Sequence, residues 1–140
     1  MTNVAIILFA ITLPWSEPTP QHVPFERGVS TYYAPKLMDK VVANRGMNVP
    51  EGFIPVALNR KGDIGRIVWV YFPRSGNLYP AISVDCAASD HYGDRLELNR
   101  VVEVPAWVAQ DEGFYGVGPE PVEVWYTVPL HYILFGHRPI

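Results

Sequence analysis

Cysteine is nearly absent: Cys86 stands alone among 140 residues, so no internal disulfide can form and the fold must rest on its core. It sits in an apolar alternating stretch and reads as packing. Basic runs are missing and the formal net charge is −3, which removes the electrostatic footprint of a nucleic-acid binder. Windows for helices of ordinary length are few, because fourteen prolines and eleven glycines are spread along the chain. No phosphate cradle is present either, since Gly113-Phe-Tyr-Gly-Val-Gly118 lacks a lysine and a strand-then-helix setting. Metal-ligand spacing is not met: His91 with Asp90 and Asp94 reads as a solvated loop, and His131 and His137 as packing or surface residues. Neither a metal nor a cofactor is implied.

What is present points to one mostly β domain with one modest core. Eight tyrosines, six phenylalanines and four tryptophans suit a β core and also a surface that stacks on ring-shaped ligands. The spacing of β-formers and turn residues predicts strands over 28–33, 53–58, 66–72, 79–86, 100–104 and 121–128. Pro55 marks an edge or bulge, and the continuous run Arg66-Ile-Val-Trp-Val-Tyr-Phe72 a barrel position. One or two turns of helix are expected around 37–42, and a short helix from Pro105 to Glu112 before Gly113. Asp111 and Glu112 oppose that helix's dipole, which marks an interaction or fraying.

The N-terminal run Val4–Leu13 is ten residues long, too short to span a bilayer and suited to a secretory signal or anchor. It is imperfect, with no Lys or Arg before it and no small-residue cleavage motif after it; a first strand or short buried helix is the alternative. Residues 14–27 follow as a proline-rich linker, then the domain at 28–128, then an aromatic tail at 129–140 that packs back on it. Signal and linker together suggest an extracytoplasmic protein, with residues 1–13 a possible membrane tether.

The candidate chemistry lies in Ala81-Ile-Ser-Val-Asp85-Cys-Ala87 and Arg100-Val-Val-Glu103-Val. An alternating strand that ends on a carboxylate, followed by a loop and a second strand carrying another acid, holds Asp85 at a rim, where acid/base chemistry is possible. The competing reading is an aspartate that satisfies loop amides.

Six short strands with a helix before the last resemble the double-psi β-barrel of rare lipoprotein A, barwin, expansins and barwin-like endoglucanases. The similar motifs are Ser30-Thr-Tyr-Tyr33, Val56-Ala57 with Asp63-Ile-Gly65, the hairpin from Ile67 to Val84 around Ser75-Gly76, Asp85, and Val101-Val-Glu103-Val104 before Ala106 to Asp111. The resemblance covers roughly residues 28–128 and implies a six-stranded double-psi barrel with one or two short helices. It also implies that Asp85 protonates the glycosidic oxygen of a cell-wall glycan or other polysaccharide. A lytic transglycosylase needs one such group, because the sugar's own 6-hydroxyl attacks; an inverting hydrolase needs a second carboxylate about 6.5–9.5 Å away, with Asp39, Glu103 and Asp90 as candidates.

This chain departs from the family around that site. The family's histidine is replaced in Ala57-Leu-Asn59-Arg60, the Arg-Gly-Pro after its acid by Cys86-Ala87, and its acid-Leu-Ser by Glu103-Val-Pro105. Three functions therefore stand side by side. The first is a glycan-cleaving enzyme with Asp85 as acid. The second is a non-catalytic carbohydrate-binding barrel in which Tyr32, Tyr33, Trp69 or Tyr92 stack on sugars, with Asn59 as a polar contact. The third is a structural barrel in which a buried Asp85 holds backbone amides.

Overall fold

The computed structural model describes residues 25–86 and 99–135. The expected signal segment, the linker up to residue 24, and Asp90, His91, Tyr92, Asp94 and His137 lie outside them. The strands are β1 (Phe25–Tyr32), β2 (Ile54–Leu58), β3 (Ile67–Phe72), β4 (Asn77–Cys86), β5 (Arg100–Val104) and β6 (Glu120–Trp125). Three short helices accompany them: α1 (Leu37–Arg45), α2 (Ala106–Glu112) and α3 (Leu130–Phe135).

The six strands close into a barrel in the order β1-β5-β2-β4-β3-β6. Two neighbour pairs, β1 with β5 and β2 with β4, run parallel, and the other four are antiparallel. Every strand expected from the sequence is present. The linker was drawn too long, because β1 starts at Phe25, where the ring stacks on Trp125 at 4.4 Å. One more helix forms than expected: α3 lies in the tail, where buried Tyr132 stacks on Tyr71 at 4.2 Å and so docks it on the barrel.

Period-2 alternation fills the interior. Val56 and Leu58 on β2, Val68, Val70 and Phe72 on β3, Val102 and Val104 on β5, and Val122 and Val124 on β6 are all fully or almost fully buried. A second, smaller cluster sits outside the barrel wall: Met38 of α1 packs with Tyr33, Ala57, Ile82 and Val84. This cluster fixes α1 over β2 and β4. Glu112 at the end of α2 accepts from Tyr79 Oη at 2.7 Å and Asn77 Nδ2 at 2.9 Å, so the acid opposing the dipole marks an interaction rather than fraying.

Two irregularities re-aim side chains. Along β2 and β4, Val56 pairs with Ser83 but Ala57 pairs with Asp85, so Val84 and Asp85 together face one residue. Such a bulge breaks the alternation and turns Asp85 to the same outer face as Val84. A matching shift between β1 and β5 sets Ser30 opposite Val102 and Thr31 opposite Glu103. Close approach at that bulge requires Gly28: a Cβ there would meet the Asn99 carbonyl oxygen at 2.3 Å.

Candidate functional site

The bulge lays one row of side chains across four strands on the outer face. Asp85 of β4 neighbours Ala57 of β2, Ala57 neighbours Glu103 of β5, and Glu103 neighbours Thr31 of β1. Two strand spacings put the Cα atoms of Asp85 and Glu103 about 10 Å apart. Between them Ala57 contributes only a methyl group. Both acids border a groove of about 400 Å³, lined also by Tyr32, Tyr33, Ala34, Leu37, Val41 and Cys86.

Asp85 keeps a fifth of its side-chain surface exposed. Its Oδ2 accepts from the Tyr33 hydroxyl at 2.7 Å and its Oδ1 from Arg45 Nη2 at 2.7 Å. Among the described residues, side chains hold this carboxylate. Burial, then the hydrogen bond to Asp85 and the nearby carboxylates, raise the Tyr33 phenol far above its ordinary pKa. The phenol therefore stays protonated and is a permanent donor to Oδ2. Arg45 comes from the last turn of α1, at the groove's rim, and is itself partly exposed.

Glu103 is held differently. Its Oε1 accepts from Arg100 Nη1 at 2.8 Å and from Thr31 Oγ1 at 2.9 Å. Arg100 is 8 % exposed, and its Nε and Nη2 have no hydrogen-bond partner among the described residues. Glu103 is thus the counter-charge of a buried guanidinium.

No protein-family model matches the chain, and no curated protein is detectably similar to it. The site must stand on its own geometry.

Of the second acids expected from the sequence, the structure brings Glu103 to the groove of Asp85 and places Asp39 elsewhere. Asp39 is exposed on the far side of α1, bordering a depression with Trp107 and Gln110. Asp90 lies outside the described residues. Among the aromatic candidates, Tyr32 borders the groove, with its hydroxyl accepting from the Gly116 amide at 2.9 Å and its ring against Tyr115 at 4.9 Å. Tyr33 is buried and positions Asp85, so it does not present a face for stacking. Trp69 is half-buried on β3, paired across the sheet with Pro80 and Trp125, away from the groove. Asn59 donates to the Arg100 carbonyl at 2.8 Å and does not line the groove. Tyr92 lies outside the described residues.

Arg45, Arg100 and Thr31 were not foreseen. Arg100 and Glu103 stand three apart on one strand, a spacing that only the bulge turns into a contact. Nothing local in the sequence joins Arg45 to Asp85, forty residues away.

Proposed function

We propose that the groove beside Asp85 binds a polysaccharide strand, cell-wall glycan in the first instance, and that Asp85 is the acid that cleaves it. The observation that carries this reading is the bulged, side-chain-held Asp85 at the wall of an open groove that also contains Glu103. The strand order, with its two parallel pairs, supports the resemblance to double-psi barrels.

The two oxygens of Asp85 have separate duties. Tyr33 keeps its proton and occupies Oδ2, which fixes the plane of the carboxyl group. Oδ1 is the oxygen that meets substrate, once Arg45 swings from it into solvent. A proton carried on Oδ1 passes to the glycosidic oxygen as the C–O bond breaks, and the sugar's 6-hydroxyl closes on the anomeric carbon. Its proton returns to Asp85, so one carboxyl group balances the cycle. Glu103, whose charge is balanced by Arg100, borders the groove as a fixed hydrogen-bond acceptor for a sugar hydroxyl.

A second reading is favoured by the Arg45–Asp85 ion pair: a carbohydrate-binding barrel without cleavage, in which the paired groups hydrogen-bond sugar hydroxyls. Mass spectrometry of peptidoglycan sacculi and of soluble β-glucans, incubated with the protein and with Asp85→Asn, separates the two. Anhydro-muropeptides or shortened glucans that vanish in the variant support cleavage. Retention on either polymer with no product from the parent protein supports binding alone, and neither product nor retention overturns both.

A further inference from the structure

We propose that Trp107 is the platform of a second sugar subsite, entered from the Asp85 groove across Ala34, and that it selects long glycan chains over short ones. This rests on the reading of that groove as a polysaccharide site. The depression beside the groove has a volume of about 210 Å³, and Ala34, Lys36, Asp39, Trp107 and Gln110 are among its lining residues. Ala34 borders both concavities, so they meet at a methyl group. Trp107 lies four residues beyond Glu103, which spans at most about 14 Å of backbone. A short chain can therefore touch both.

The groups of the depression are free to take a ligand. Trp107 is 47 % exposed, although Ala106, Val108 and Ala109 of the same helix are buried. Trp125, by contrast, is stacked on Phe25 and meets Tyr132 edge to face. Among the described residues no aromatic ring packs on Trp107, its indole N–H has no hydrogen-bond partner, and the side chains of Lys36, Asp39 and Gln110 are equally unengaged. A ligand here breaks no ion pair, whereas one in the groove must displace Arg45 from Asp85.

Their chemistry matches a neutral sugar ring. One face of such a ring is a row of C–H bonds, which an indole covers, and its rim carries hydroxyls that both donate and accept. Asp39 only accepts, Lys36 and the indole N–H only donate, and the Gln110 amide does both. Lys36 and Asp39 cancel in charge, so a simple anion or cation gains little, while hydroxyls gain from each. A few polar groups around an apolar floor fix the orientation of a bound ring. Asp39 thus serves as a hydroxyl acceptor, apart from the bond that Asp85 cleaves.

The test is calorimetric titration of the full chain with long and short glycans. The long ones are sacculus strands stripped of their stem peptides and soluble β-glucans; the short ones are the disaccharide units of each. Trp107→Ala is expected to weaken binding of the long chain at least about tenfold and to leave the disaccharide unchanged, with Trp107→Phe restoring most of the loss. Where the chain is cleaved, KM rises for long substrates and kcat is kept. Asp39→Asn, at an exposed position, should weaken the long chain alone, and with Trp107→Phe it carries the test if Trp107→Ala melts far below the parent. The subsite is overturned, with the reading of Asp85 intact, if the parent binds long and short glycans alike or Trp107→Ala binds long chains as the parent does. Retention on intact sacculi but not on stripped strands or β-glucans overturns it in favour of the stem peptides. A parent that neither binds nor cleaves any of these polymers overturns the subsite and the Asp85 reading together.

Discussion

Substituting the two partners of the Arg100–Glu103 pair should have very unequal effects. Arg100 is buried, donates from Nη1 to Glu103, and has no partner for Nε or Nη2 among the described residues. Glu103→Gln keeps an oxygen for Thr31 and Arg100 but deletes the only carboxylate bonded to this guanidinium among the described residues. Leaving a buried charge uncompensated costs about 3–5 kcal/mol; the lower end applies, because the Glu103 side chain is 17 % exposed and water screens part of the loss. For a domain of this size about 3 kcal/mol is a fall in melting temperature of roughly 12–24 °C. Arg100→Met removes the buried charge itself and leaves Glu103, which is the more exposed partner and keeps its donor Thr31, so its loss is the smaller of the two. Replacing both partners by uncharged groups is often neutral or stabilising, and Arg100→Met/Glu103→Gln is expected to lie within about 1 kcal/mol of the parent. Urea unfolding of the four proteins measures the cycle. The reasoning fails if Arg100→Met costs as much as Glu103→Gln, since the guanidinium would then be a net stabiliser and not a burden offset by Glu103.

Asp85→Asn should fold normally, within about 1 kcal/mol of the parent: the amide oxygen still accepts from Tyr33, and the lost partner is a partly exposed arginine. A thermal melt that drops far beyond that would return Asp85 to a structural role. Phe72→Ala removes a fully buried ring that contacts Tyr79 and Phe114, and should cost about 3–5 kcal/mol by denaturant titration. Gly28→Ala should destabilise by more than the usual surface substitution, since its methyl group meets a backbone carbonyl that cannot rotate away; unchanged stability would mean that β1 and β5 are less closely apposed. At alkaline pH, burial first and then Glu123 push the Tyr132 phenol up to about 12, and burial first also raises Tyr33, Tyr79 and Tyr126. Folded pKa values above the unfolded value of 10 mean full stability below pH 10, lost as pH rises toward 12. Phenolate absorbance and circular dichroism followed together should show these tyrosines ionising only as the protein unfolds.

The strands were legible because each is a short run of β-formers closed by proline, glycine or a polar turn; β3, from Ile67 to Phe72, is the clearest. The start of β1 was hidden, since Phe25-Glu-Arg-Gly28 carries charge and glycine and becomes a strand through pairing with β6, a hundred residues on. The tail helix was hidden for the same reason: a six-residue helix has little stability of its own and forms here where Tyr132 is buried. At the site, the alternating approach to Asp85 was readable, but the bulge that turns it outward was not, because a register shift is a property of two strands. Tyr33 was read as a stacking surface since an aromatic at a strand end is ambiguous, and only burial beside Asp85 shows it to be a donor. Arg45 and Asp85 meet because α1 packs on Ile82 and Val84, a contact between distant segments.

The neighbours of β1 also govern how this protein is made. Both strands that flank it, β5 and β6, belong to the last third of the chain. On the ribosome β1 emerges before the other strands, gains its first partner only when β5 has cleared the exit tunnel at Val104, and its second only when β6 has cleared it at Trp125. Non-local pairing of this kind makes folding slow and leaves strand edges open in the interval. A chain interrupted before β6 cannot close the barrel at all, and the row from Asp85 to Thr31 cannot assemble before β5 is made.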